Sequence, residues 1–105
     1  MKIKAIVKRP DEQVGHVCYV SDTLENLQKT VGGYIEALQL GDGLFLICNE
    51  EGRLKNLEKN FVITNGGFQI QIVGTVLIVG SDGESFSDVP ISKTKWQSML
   101  KEWGN

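Results

Sequence analysis

The sequence is poor in the groups that most chemistry needs. It holds one histidine, His16, and two cysteines, Cys18 and Cys48, among 105 residues. No Cys-x-x-Cys pair exists, so a metal site lacks both ligands and spacing. Neither GxGxxG nor GxxxxGK[ST] occurs, and no Ser, Cys or Lys sits in a recognisable nucleophile motif. The expectation is a protein that is not an enzyme, with no cofactor, no metal and no catalytic residue.

A charge excess is missing too. Eleven basic residues face 13 acidic ones, a formal net charge of −2. That balance argues against a nucleic-acid binder, and against the strong negative field of a DNA mimic. No apolar run approaches the roughly 18 residues of a membrane helix. The start, MKIKAIVKRP, has a basic flank but only the short apolar stretch Ala5–Val7, unlike a secretory signal. A cytoplasmic protein is expected. There is no internal repeat, low-complexity segment or linker.

What remains is an ordinary globular composition, 41% hydrophobic and 23% charged, sized for one domain with one modest core. Lys2 to Lys8 alternates as a half-buried strand, with Ile3, Ala5 and Val7 on one face and Ile6 the apolar exception on the other. Pro10 and Asp11 break it. Val14 to Ser21 resumes as a second strand, with His16, Cys18 and Val20 opposite Val17 and Tyr19. The short polar link predicts a hairpin.

Ser21 to Gly52 carries the clearest local signals. Asp22 can cap a helix and Glu25 can close a capping box. Leu24, Leu27 and Val31 form its apolar stripe, and Gly32 or Gly33 can end it in the left-handed conformation. Tyr34 to Leu40 reads as a strand, Gly41-Asp42-Gly43 as a tight turn, and Leu44 to Cys48 as a central strand covered on both faces. Arg53 to Asn60 reads as a helical turn or a loop. Phe61 to Ile63 precedes the turn Asn65-Gly66-Gly67. Phe68, Ile70 and Ile72 alternate with glutamines, and Gly74 shifts the phase before Val76 to Val79, predicting a bulge or sharp bend. Phe86 to Val89 reads as a short edge segment. Ser92 caps a last helix, Lys93 to Trp103, whose stripe is Trp96, Met99, Leu100 and Trp103. The fold class is α+β: a single small domain over residues 1–105, with a mixed, mainly antiparallel sheet of about five or six strands, a central helix and a C-terminal helix.

Candidate binding residues lie beside the turns. Arg53 and Lys55 follow the Asn49–Gly52 turn and can meet an anion, Arg53 through a bidentate fork. With Asn49, and with Tyr34 and Phe68 able to stack on a base, they make a candidate site for a small nucleotide-type ligand. The same aromatics also suit a core. Lys8 with Arg9, and Lys93 with Lys95, read as solvated surface. His16 would need an orienting carboxylate to serve as a general base. The paired carboxylates Glu50-Glu51, and Asp82 with Glu84, read as solvated turns. Trp96, Met99 and Trp103 read either as core or as an interface in a homo-oligomer or with a protein partner. Exposed strand edges invite self-association.

The stretch TLENLQKTVGGYIEALQL, then DGLFLICNEEGRLKNLEKN, and later the glycine-centred strand Val73–Gly80, resembles a family of small uncharacterised proteins of bacteriophages and mobile elements of Gram-positive bacteria. Its signature is VGGYIE followed by NEEG. The likeness covers most of Lys2 to Gly83 and departs at Phe61–Phe68. It implies an accessory role against host defences, either as a sponge for an anionic nucleotide immune signal or as an inhibitor of a defence protein.

Overall fold

The computed structural model describes residues 1–105. In chain order the elements are β1 (Lys2–Lys8), β2 (His16–Ser21), α1 (Leu24–Val31), β3 (Ile35–Gly41), β4 (Leu44–Asn49), β5 (Lys59–Asn65), β6 (Phe68–Val73), β7 (Val76–Ser81), β8 (Phe86–Ser87) and α2 (Lys93–Glu102). The main sheet runs β2-β1-β7-β4-β3, with β8 added beside β7, and β5 pairs only with β6. Every pairing is antiparallel. The fold is the expected α+β domain with a six-stranded sheet.

The main sheet is covered on both faces because its strands alternate. Ile3, Ala5 and Val7 of β1, Ile47 of β4 and Leu77 and Val79 of β7 pack beneath Leu27 and Val31 of α1. On the opposite face Ile6, Leu44, Leu46, Cys48, Val76 and Ile78 meet α2 and the β5–β6 hairpin. β7 is the hub, with Val76 to Val79 all 0% exposed. The result is three layers, helix on sheet on hairpin-plus-helix.

Helix α1 departs from expectation at its start. Thr23 is the cap, its Oγ1 accepting from the Asn26 N–H at 3.2 Å. Asp22 instead lies 3.4 Å from the N-terminal ammonium. The cap one residue later puts Asn26, not Glu25, in the third helical position, so no capping box closes. Leu24 then falls off the buried stripe and is largely exposed, while Leu27 and Val31 are buried. The helix ends at Gly32, φ +82°, as predicted.

The Phe61–Ile63 stretch is longer than the sequence suggests. It belongs to β5, which turns through Gly66 and Gly67 (φ +56° and +93°) into β6. Two successive positive φ values make the two-residue turn that suits hairpin twist. The phase shift at Gly74 is a change of sheet. Gly74, φ +74°, lies between β6 of the small sheet and β7 of the large one.

Lys8 is the largest departure. Expected on a solvated surface, it is 3% exposed. Its Nζ donates to the Glu12 carbonyl at 2.7 Å and to Asn60 Oδ1, and lies 5.5 Å from the Phe61 ring centroid. Asn60 Nδ2 donates to the carbonyls of Lys8 and Gly74. Burial lowers the Lys8 pKa, an effect opposed by Glu12 and Asp11. Alternation sets Lys8 on the face of Ile6, opposite Ile3, Ala5 and Val7, and the sequence reads that face as solvated. What it could not give was the second sheet that covers that face.

Candidate functional site

The aromatic stripe of α2 is core. Trp96 is 0% exposed and donates Nε1–H to the Val14 carbonyl at 2.9 Å. Its ring meets Phe61 edge-on at 5.5 Å and Trp103 edge-on at 5.8 Å, while Phe61 and Trp103 stack at 6.2 Å. Met99 and Trp103 pack half-buried against the same cluster. Trp96 therefore cannot be an interface residue without opening the core, which corrects the interface reading for it.

The main concavity is a groove of about 320 Å³ between the β3–β4 end of the main sheet and β6. Glu36 and Leu38 come from β3, Cys48 from β4, and Ile70 and Ile72 from β6; the turn after β4 supplies Arg53. Register explains the floor: Glu36 pairs with Cys48 and Leu38 with Leu46, so these side chains share one face. The end turn is built by Asn49, whose Oδ1 accepts the Glu51 N–H at 2.8 Å. Gly52 follows because a Cβ there would lie 2.8 Å from Val73 Cγ2. Glycine lets the turn press against β6.

The groove's electrostatics are mixed. Glu36, Glu50 and Glu51 line it against the single cation Arg53. Arg53 Nη2 donates to the Gln71 carbonyl at 3.2 Å, tying the turn to β6. Cys48 Sγ lies 3.8 Å from Glu36 Oε1. Burial, then the Glu36 carboxylate beside it, push the Cys48 thiol up to about 11, with Arg53 opposing. A thiol so held is protonated at neutral pH and a poor nucleophile. Of the lining residues Leu54 is 84% and Ile70 39% exposed, and beyond the groove Phe68 is 76% exposed.

Of the predicted ligand residues, Asn49 and Arg53 meet in this groove and the others do not. Asn49 is buried, and its Nδ2 also donates to the Val31 carbonyl at the end of α1. Its polar atoms are spent on structure. Lys55 reaches toward Gly33 and pairs loosely with Glu51 at 4.0 Å. Tyr34 is 66% exposed and lies outside the groove, as does Phe68 near the hairpin tip. Glu36, Cys48 and Gln71 were not anticipated. Strand register brings Glu36 to Cys48, across a bulge at Gln39/Gly41 that is not written in the residue pattern, and the packing of the second sheet brings Gln71.

His16 does find a carboxylate. Glu12 Oε2 lies 2.8 Å from His16 Nδ1, and Glu12 Oε1 accepts the Arg9 N–H at 2.9 Å. This pair sits at the β1–β2 connection, on the sheet edge opposite β3. No helix is long and apolar enough to cross a membrane.

Fold and groove define a small α+β domain with an acidic and apolar cleft between two sheets. Residues 1–101 match the family described as Domain of unknown function (DUF3846), and the chain belongs to that family. No match was found among curated proteins or among solved structures.

Proposed function

We propose that this chain is a non-catalytic binding protein that holds an extended protein segment in the groove between β3 and β6. The observation that carries this reading is the groove's lining: apolar Leu38, Ile70 and Ile72 beside Glu36, Glu50 and Glu51. That surface suits a segment alternating apolar residues with Lys or Arg. The raised Cys48 thiol argues against nucleophilic chemistry in the same place. The likeness of VGGYIE and NEEG to phage and mobile-element proteins supports an accessory role, with the bound segment belonging to a host defence protein in the cytoplasm.

Sequestration of a small anionic nucleotide is the second reading. Arg53 favours it, with a single side-chain hydrogen bond. Three carboxylates in the same groove disfavour an anion there, which ranks this reading below the first.

The test is selection of a random peptide library on the immobilised protein, followed by NMR mapping of the selected peptide. The expected result is enrichment of alternating apolar and basic residues, shift changes at Glu36, Arg53 and Ile70, and at least ~10-fold weaker binding in Glu36→Lys. A library that yields no binder, or shifts confined elsewhere, defeats the proposal. If cyclic dinucleotides or ADP-ribose-type ligands instead raise the melting temperature, the sponge reading replaces it.

A further inference from the structure

We infer that the β2 edge is a self-pairing surface: two copies join β2 to β2 across a two-fold axis, extending the main sheet through both molecules. The argument starts from the ladder. Lys4 N–H donates to Asp88 Oδ1 at 2.7 Å and the Lys4 carbonyl accepts from Val89 at 2.8 Å. The backbone groups of Lys4 therefore point away from β2, and its pair with Tyr19 is a non-hydrogen-bonded one. At the end of the ladder Asp22 N–H donates to the Met1 carbonyl at 3.0 Å, the alternation expected from this phase. Val17 and Tyr19 consequently aim their N–H and C=O groups outward from the sheet. The next outward carbonyl, Ser21, is already taken by Asn26 Nδ2 at 3.0 Å. Tyr19 O has only a long 3.7 Å contact from the Cys18 thiol.

This edge carries none of the usual guards. It has no Lys, Arg, Asp, Glu or Pro, and its register to β1 runs without a shift from His16 to Ser21. The opposite edge, β3, carries Glu36 and a bulge at Gln39/Gly41. Native sheets blunt edges with charge, proline or bulges, so β2 is an edge left open. It also shows side chains with no partner: Val17 is 42% exposed and Tyr19 64% exposed, both on the face away from α1.

A two-fold axis through Cys18 satisfies these groups together. Val17 falls opposite the partner's Tyr19 as a hydrogen-bonded pair, so the four outward groups of each copy find partners. The two exposed side chains become an aromatic–β-branched cross-strand pair, repeated by symmetry. On the α1 face His16 meets the partner's Val20, and Cys18 lies opposite the partner's Cys18 in a non-hydrogen-bonded pair. With no Lys, Arg, Asp or Glu in β2, no such residue of one copy's strand faces a like charge on the partner's. In such a dimer the two β3–β6 grooves stay open at the far ends of the joined sheet, so this inference stands or falls separately from the proposed function.

The experiment is analytical ultracentrifugation of the full chain from about 1 to 100 μM, together with cysteine cross-linking. Wild type is expected to populate a dimer across this range. Tyr19→Pro, which deletes an outward N–H, and Val17→Lys, which places a charge against the partner's Tyr19, are each expected to weaken it at least ~10-fold with unchanged circular dichroism. Diamide should link Cys18 to the partner's Cys18, the two thiols losing two protons and two electrons to its N=N bond. That cross-link should persist in Cys48→Ser and vanish in Cys18→Ser. A monomer at 100 μM, or a dimer that both β2 variants and Cys18→Ser leave intact, overturns the inference.

Discussion

Lys8 Nζ donates its proton to Asn60 Oδ1 across 52 positions of sequence, fastening the end of β1 to the start of the β5–β6 hairpin. The same asparagine holds the carbonyls of Lys8 and Gly74. One half-buried amide thus joins the main sheet, the small sheet and the turn between them. Asn60→Ala is expected to cost about 2–4 kcal/mol in urea denaturation, because it strips a buried ammonium of a partner. Adding Lys8→Met should recover part of that loss; a double variant no more stable than Asn60→Ala would show that the buried charge is not the source.

Gly74 is the hinge of the chain's passage between sheets. Its φ is +74°, and a Cβ there would lie 2.8 Å from Leu57 Cδ1. Gly74→Ala should destabilise by about 2–4 kcal/mol, from backbone strain and overpacking together. Gly66→Ala has the strain alone, since nothing lies within 4 Å of a Cβ there. A thermal melt ranking Gly66→Ala as the worse of the two would refute this account.

Trp96 should behave as a core residue in every assay. Trp96→Ala is expected to lose about 3–5 kcal/mol, given complete burial and two edge-on aromatic contacts. Wild-type tryptophan fluorescence should stay blue-shifted and resist acrylamide for this ring. Free quenching of both tryptophans would contradict its placement.

The two thiols should separate by reactivity. Cys18 is partly exposed and Cys48 is buried, with its thiol raised to about 11 from 9.0. Ellman's reagent at pH 8 should titrate Cys18 first and Cys48 only on unfolding. The linkage has a defined sign. Between about pH 9 and 11 the unfolded thiol ionises while the folded one keeps its proton. Stability therefore falls as pH rises through that window, and Cys48→Ala should flatten the fall.

Glu12 sets the opposite dependence at low pH. Its partial burial favours the neutral form, but the hydrogen bonds from Arg9 and His16, with the charges of both, outweigh this and lower its pKa. A depressed carboxylate pKa contributes stability above the ordinary value of 4.5, lost as pH falls through the folded value. Glu12→Gln should lower stability at neutral pH and make its fall with acid shallower, the two proteins converging once Glu12 is protonated. An unchanged acid limb would mean the pair with His16 contributes nothing.

Much of this molecule follows from local residue choice. Alternation in Lys2–Lys8, the four-residue apolar run in β7, the glycine stop after Val31 and the Ser92 cap each specify their element through period, burial or capping, which are properties of neighbouring residues. Local signals place boundaries less well, as the shift of the α1 cap from Asp22 to Thr23 shows, because several side chains compete for the same orphan N–H groups. The groove, the buried Lys8 and the open β2 edge were decided by tertiary structure. Each depends on which strands lie side by side, and pairing is fixed by long-range register and sheet order, to which residues far apart in the chain contribute jointly. Glu36 meets Cys48, and Lys8 meets Asn60, only once that order is in place.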